Sequence, residues 1–417
     1  MNPKPEILII GGGVIGVAVA DALSRAGSAV VLIDRDLPGH GCSYGNAGWV
    51  APCFATPLPR PGLLLKAARW MLDRRSPLRI PLRPDPALVA WLVRFLWNTR
   101  QERFVAGTRA LVELSQYSLE AFGELASDRR RGLDLQRKGL LQVGLTPKGV
   151  TGLVADLRMM EAFGVEGTVL DEEGVREVEP SLTGPVAGGV HFPQEAHLEP
   201  LEAVRAFAKR AEDAGAQIIP STEAIRFRRD GDRITGVLTT RGWIEPATVV
   251  LASGVWSRSL AAQVGLSLPL FGGKGYSVTV DRSATALRTP VLVAERKVAI
   301  TPHSGRVRLA GTLELVKDHE TMIAPHRVDA IRKTATDLLG LPEWVSVDEP
   351  WRGLRPCTPD GLPVIGRSRR VPNLMVAAGH QMLGLQTAPA TARLVTDLVH
   401  DHTPSFDPQP FSPERYE

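Results

Sequence analysis

The sequence predicts an α/β protein: a nucleotide-binding domain assembled from separated segments, joined to a second domain built on an antiparallel sheet. Three observations carry this. A glycine-rich turn framed by two buried strands opens the chain over residues 7–34. Buried runs of the same kind recur at 249–251 and 374–378, each ending in small residues. Between them, residues 275 to 315 read as antiparallel strands.

The opening unit can be justified part by part. Ile7, Leu8, Ile9 and Ile10 are apolar without alternation, as a strand covered on both faces requires. Gly11-Gly12-Gly13-Val14-Ile15-Gly16 follows and leads into an apolar helical stretch ending at Ala26-Gly27. Gly11 permits the tight turn, Gly13 lets backbone approach a pyrophosphate, and Gly16 lets helix and strand pack closely. The helix N-terminus turns its positive end toward phosphates. Residues 30–33 make a second strand, and Asp34 ends it where a carboxylate can bind ribose hydroxyls. This fingerprint does not separate FAD from NAD.

Residues 55–110 differ in character. Pro57, Pro59, Pro61, Pro77, Pro81, Pro84 and Pro86 punctuate short helical pieces at 63–72 and 88–97. Longer amphipathic helices are expected at 108–127 and 148–163, with a strand at 140–143 between them. A helix over 200–214 ends at Gly215. Strands follow at 217–219, 223–227, 234–238 and 248–251, and Asp230-Gly231-Asp232 makes a hairpin turn. A helix at 328–339, the strand at 374–378 and a helix from near Gln386 complete the chain.

At 417 residues two domains are expected. The formal net charge of +4 gives no case for nucleic acid. Three cysteines, Cys42, Cys53 and Cys357, lack metal-like spacing and suit a reducing compartment. Lys4 before an apolar run and Ala18-Val19-Ala20 imitate a signal peptide, but cleavage there would destroy the fingerprint. No run reaches the ~20 apolar residues needed to span a bilayer. A cytoplasmic location is expected. Between Arg60 and Arg109, basic residues outnumber Asp73, Asp85 and Glu102, with Trp70, Trp91, Phe95 and Trp97 interleaved. This is either a solvated basic face or a peripheral contact with anionic lipid or an electron-accepting partner.

Four further segments narrow the reading: Ser43-Tyr44-Gly45-Asn46-Ala47-Gly48, Ala252-Ser253-Gly254-Val255-Trp256-Ser257, the run from Trp351-Arg352-Gly353-Leu354-Arg355-Pro356 to Gly366, and Ala377-Ala378-Gly379-His380 continuing through Gly384-Leu385. In this order and spacing the chain resembles the FAD-dependent amine and amino-acid oxidoreductases of the D-amino acid oxidase and glycine oxidase type. The Gly-Asn-Ala-Gly segment, Lys274-Gly275-Tyr276-Ser277 and Met382-Leu383-Gly384-Leu385 look most like bacterial D-amino acid dehydrogenases, in the D-hydroxyproline dehydrogenase branch.

That resemblance implies a Rossmann-like FAD-binding domain from residues 1–90, 186–265 and 346–417, and a substrate domain from 91–185 and 266–345. Non-covalent FAD is expected, because the cysteine that carries flavin in some sarcosine-oxidase relatives lies further from the aspartate than Cys357 lies from Asp360. The positions expected to hold it are Gly11, Gly13, Val14, Ile15, Gly16, Asp34, Arg35, Ser43, Asn46, Ala47, Gly48, Ala224, Ser253, Gly254, Trp256, Gly379, Gly384, Leu385 and Gln386. The helix opening at Gly384 would set its positive end against the negative edge of reduced flavin. His380 has a structural reading as well as a flavin-adjacent one.

The resemblance also implies substrate binding by Arg355, whose planar fork suits a carboxylate; Arg352 is the local competitor. Relatives carry a tyrosine where Ala299 stands and an arginine where Met382 stands, so Tyr276 is the substitute hydroxyl and Met382 an apolar neighbour of the substrate. The expected reaction is oxidation of the Cα–N bond of a D-amino acid, a cyclic D-imino acid such as D-hydroxyproline or D-proline. Hydride passes to flavin N5, with no obligatory protein base, and electrons go on to a quinone or partner protein. The alternatives are an oxygen-using glycine or sarcosine oxidase, and an FAD-binding subunit whose flavin is structural. An NAD-only dehydrogenase would purify colourless.

Overall fold

Three separated pieces of chain meet in one six-stranded sheet. A computed structural model describes residues 5–62, 78–79, 85–127, 133–316, 320, 322–342 and 350–416. The sheet runs in the order Val364–Arg367, Leu374–Ala378, Thr248–Leu251, Ile7–Ile10, Val30–Ile33, Gln217–Ile219. All neighbours are parallel except the first pair. Ile7, Leu8 and Ile9 are fully buried, which explains why this strand has no polar alternation. Helix Val14–Arg25 packs with Gly384–Val399 and Pro200–Asp213 on one face, through Val17, Leu385, Ala388, Ala203 and Val204. A three-stranded antiparallel sheet, Ala224–Asp230, Arg233–Thr239 and Gly242–Ile244, stands beside it. Gly231, at φ 57°, turns its hairpin.

Among the described residues the second sheet has nine strands. Its path is Trp351–Cys357, Phe271–Asp281, Arg306–Val316, Val298–His303, Val291–Val293, Leu140–Gly144, Gly188–Phe192 and Thr168–Leu170, and Leu78–Arg79 joins Arg306–Val316. It is mixed rather than purely antiparallel: Val291–Val293 runs parallel to Leu140–Gly144. Gly188–Phe192 and Trp351–Cys357 pair in this sheet, so segment boundaries at 186 and 346 do not coincide with its limits.

The long helix Gln101–Ser127 bridges the two sheets: Ala110, Leu114 and Phe122 are buried in the core of the first sheet's helices, and Leu111 and Val112 pack with Leu140, Val190 and Phe192 of the second sheet. The expected helix at 88–97 is Pro86–Trp97, started by Asp85, whose side chain accepts from the N–H groups of Ala87 and Leu88. The helical piece expected at 63–72 lies outside the described residues.

Alternation on the second sheet sets up the site. Tyr276, Val278, Ile300, Val307 and Leu309 face an apolar core with Val328 and Ile331 of helix Pro325–Leu339. Gly275, Ser277, Thr279, Arg308, Ala310, Ala299, Thr301, Gly353 and Arg355 share the other face by register. That face meets the Cys42–Gly48 segment of the first domain. Arg308 donates to the Asn46 carbonyl at 3.0 Å and Trp49 Nε1 to Thr301 Oγ1 at 2.8 Å.

Candidate active site

A cleft of about 470 Å³ runs along the C-terminal ends of the first sheet's central strands. Its floor is the glycine turn. Gly11 adopts φ +114°, and a Cβ there would fall 2.6 Å from the Ala252 carbonyl oxygen. A Cβ on Gly16 would fall 1.8 Å from the Gly11 carbonyl oxygen, so helix and turn touch backbone to backbone. Gly13 is different: a Cβ would meet only Ser43 Oγ, at 3.5 Å. Its free side faces the cleft. Helix Val14–Arg25 has no side-chain cap at Gly13 and no acidic residue in its first turn, leaving its positive end for an anion.

Asp34 closes the second strand and accepts from the Gly12 N–H at 2.5 Å and the Asp36 N–H at 2.8 Å. Burial raises its carboxyl above the ordinary value, against the pull of those two N–H groups. Arg35 lies 3.9 Å above the Trp256 ring, forming one wall. Ser43 accepts from the Val14 N–H at 3.0 Å. This ties Ser43 to the helix N-terminus.

Most expected cofactor positions line this cleft: Gly11, Gly13, Val14, Ile15, Asp34, Arg35, Ser43, Asn46, Ala224, Ser253, Gly254, Trp256, Gly384 and Leu385. Others do not. Gly16 is used in packing, as above. Gly48, at φ +84°, takes the Asn46 side-chain oxygen on its N–H at 2.8 Å, and a Cβ there would fall 2.2 Å from the Leu198 carbonyl oxygen. Ala47 lies between these two without lining the cleft. Gly379, at φ +81°, packs against Thr358. Gln386 is buried, and its amide donates to Ser115 Oγ at 3.1 Å, tying the last helix to Gln101–Ser127. Helical spacing turns Gln386 away from the cleft that Gly384 and Leu385 border.

His380 borders the cleft and is buried. Burial lowers its pKa to about 3, so it is a neutral imidazole, bound through Nε2 to Thr391 Oγ1 at 3.0 Å. Cys42 donates its thiol to the Leu354 carbonyl at 2.7 Å. Cys357 is fully buried against Gly273, and burial pushes its thiol up to about 12.

Arg355 and Tyr276 are not brought together. Arg355 lies on the sheet face toward the first domain, half-buried, with NH1 donating to the Thr312 carbonyl at 2.7 Å. Among the described residues no carboxylate forms an ion pair with it. Tyr276 is on the opposite face, 1% exposed, and its hydroxyl donates to Glu314 Oε2 at 2.8 Å. Glu314 is held in turn by Arg327 at 3.2 Å and Lys274 at 3.6 Å. The expected substitute hydroxyl is therefore a structural one. Arg352 pairs with Tyr276 in register and shares its face. Met382 is 40% exposed beside the Gly384 helix start, and its carbonyl accepts from Asn46 Nδ2 at 3.4 Å.

Sequence reasoning missed a buried ion pair at the domain junction. Arg308, 3% exposed, donates through NH1 and NH2 to Glu199 Oε1, each at 3.1 Å, while also holding Asn46. Its signal was an arginine between Val307 and Leu309, where strand alternation sends it to the non-core face. Its partner, 109 positions away, carried none.

Residues 6–398 match the family described as FAD dependent oxidoreductase. The chain belongs to this family. This FAD-dependent oxidoreductase is 33% identical to a D-amino acid dehydrogenase of Azorhizobium caulinodans, over 99% of its own length and 100% of the relative's. It is 35% identical to one of Methylobacterium radiotolerans, over 99% of each. Glycine oxidase from Geobacillus kaustophilus superposes with a TM-score of 0.80 at 26% identity, covering 99% of this chain and 98% of that one. L-proline dehydrogenase from P. horikoshii superposes at 0.79 with 20% identity, over 100% and 98%, which speaks for the fold. The helix start without an acidic residue in its first turn, the open side of Gly13 and the acid at the second strand's end fit the adenine-dinucleotide part of FAD.

Proposed function

We propose that this FAD-dependent oxidoreductase is a D-amino acid dehydrogenase acting on a cyclic D-imino acid such as D-hydroxyproline or D-proline. The observation that carries the reading is Arg355: a guanidinium on the face toward the first domain, tied at one nitrogen to a carbonyl and paired with no described carboxylate. Its remaining N–H groups suit a substrate carboxylate bound at two points. Similarity to D-amino acid dehydrogenases over the whole chain supports the substrate class.

Bound FAD supplies the acceptor for the hydride that leaves the substrate Cα. Gly13 and the helix it opens would hold the pyrophosphate, Asp34 a ribose, and the Gly384 helix start the polar edge of the ring system. Arg355 fixes the carboxylate and so the direction of the Cα–H bond. Met382 and Leu383 offer apolar cover to a ring-shaped substrate. His380, neutral and engaged with Thr391, takes no proton. The amine must therefore arrive neutral, and the first product is an imine, which in a cyclic substrate persists as a pyrroline carboxylate.

The electron acceptor we propose is a quinone or a partner protein. Helix Pro86–Trp97 leaves Val89, Val93 and Trp97 at 55%, 60% and 50% exposure, with Arg100 3.5 Å above the Trp97 ring. An apolar face edged by arginine supports peripheral contact with an anionic lipid surface. No helix among the described residues is long and apolar enough to cross a membrane.

The test is to add D-proline anaerobically to the yellow protein. Bleaching that a soluble quinone reverses faster than air supports the dehydrogenase. Stoichiometric hydrogen peroxide in air supports the oxidase reading, which the glycine oxidase likeness favours. No bleaching with any amino acid leaves flavin a structural role.

A further inference from the structure

Strand Arg306–Val316 is broken at one point. Its pairing with Phe271–Asp281 runs regularly from Asp281 to Tyr276, which faces Gly311, and resumes at Lys274, which faces Glu314. Gly275 thus stands opposite two residues, Thr312 and Leu313. This is a β-bulge. Thr312 carries it at φ +65°, a left-handed conformation that a β-branched residue rarely adopts. Its hydroxyl is buried without a hydrogen-bond partner among the described residues. Nothing in the threonine side chain holds this conformation. The carbonyl does have a partner: it accepts from Arg355 NH1 at 2.7 Å.

Across from it, a Cβ on Gly275 would fall 2.2 Å from Arg355 NH1, 2.4 Å from NH2 and 2.5 Å from Cζ. Those three atoms are its nearest contacts. The guanidinium therefore lies directly over the Gly275 backbone, in space that any side chain would fill.

We infer that Gly275 and Thr312 are positioning residues: the bulge forms a slot that holds the Arg355 guanidinium, with the Gly275 backbone as floor and the Thr312 carbonyl as one edge. The opposite edge of the fork is left for the substrate carboxylate. Strain at Thr312 persists because the aim of its carbonyl matters more than local comfort. This inference rests on the reading of Arg355 as the carboxylate clamp.

The test is a double-mutant cycle on holoenzyme, with cyclopentanecarboxylate, which cannot be oxidised, titrated by the flavin absorbance change. Gly275→Ala should weaken binding about tenfold or more with FAD retained, because the methyl evicts the guanidinium. In an Arg355→Lys background the same alanine should change binding less than about twofold, since lysine lacks the three clashing atoms. Equal losses in both backgrounds, no loss in either, or failure of Gly275→Ala to fold in the lysine background would each overturn the slot. If Arg355→Ala and Arg355→Lys bind the carboxylate as tightly as wild type, the clamp itself is wrong, a separate result. Thr312→Gly, free to adopt φ +65°, should unfold at a higher temperature than wild type; a lower one would overturn the strained-bulge part.

Discussion

Arg355 and Tyr276 stand on opposite faces of one sheet. Arg355 is opposite Gly273 and Tyr276 opposite Arg352 in the same pair of strands, so the two side chains point apart. One face meets the FAD-binding half; the other meets the core under helix Pro325–Leu339. A carboxylate bound at Arg355 is out of reach of the Tyr276 hydroxyl.

Tyr276→Phe should therefore separate stability from catalysis. It removes a buried hydrogen bond to a charged acceptor, worth about 1.5–3 kcal/mol. Thermal unfolding should report the loss, while KM for the D-imino acid stays within about twofold. A large KM rise with an unchanged melting temperature would return Tyr276 to the substrate site.

Arg355→Ala should lower kcat/KM by about 10- to 150-fold, the equivalent of about 1.5–3 kcal/mol for a charged hydrogen-bond partner. FAD content should not change. Arg355→Lys should recover only part, because an ammonium cannot make the planar two-point contact. Steady-state kinetics beside the flavin-to-protein absorbance ratio decide this. Unchanged kinetics would remove the clamp.

The three fingerprint glycines should fail differently. Gly16→Ala puts a methyl 1.8 Å from the Gly11 carbonyl, and Gly11→Ala adds a collision with Ala252 at φ +114°; both should lower the melting temperature of the protein itself. Gly13→Ala meets only Ser43 and should fold, with flavin content falling further as the replacement grows from alanine to leucine. A Gly13→Leu protein that keeps a full complement of FAD would contradict this.

Glu195 gives stability a pH dependence. It is fully buried, its Oε1 accepts from the Cys53 N–H at 2.9 Å, and Oε2 has no hydrogen-bond partner among the described residues. Burial raises its pKa from 4.5 to about 8. A raised folded value means that its contribution is fully present below about 4.5 and is lost as pH rises through about 8. Glu195→Gln stays neutral throughout. Its melting temperature relative to wild type should rise between pH 5 and pH 8. A difference independent of pH would show that Glu195 is not the titrating group.

The discontinuous sheet was legible because buried parallel strands have no polar alternation and Gly11, Gly13 and Gly16 have separate physical duties. Two things were hidden. The bulge at Thr312 leaves no periodic trace. Contacts across the chain were also silent: Glu199 gives no sign of Arg308, nor Ser115 of Gln386. The hydroxyl sought at Tyr276 came from matching residue types to a relative's site, and alternation on this strand sends that residue to the core.

The central claim is that the flavin is reduced by a D-imino acid held at Arg355. Anaerobic stopped-flow absorbance should follow flavin reduction by D-proline, D-hydroxyproline, acyclic D-amino acids, glycine, sarcosine and L-amino acids. The cyclic D-imino acids should be fastest, because each methylene buried near Met382 and Leu383 is worth about 0.8 kcal/mol that glycine cannot supply. Glycine, sarcosine or any L-amino acid reducing the flavin faster than every D-imino acid tested would contradict the account.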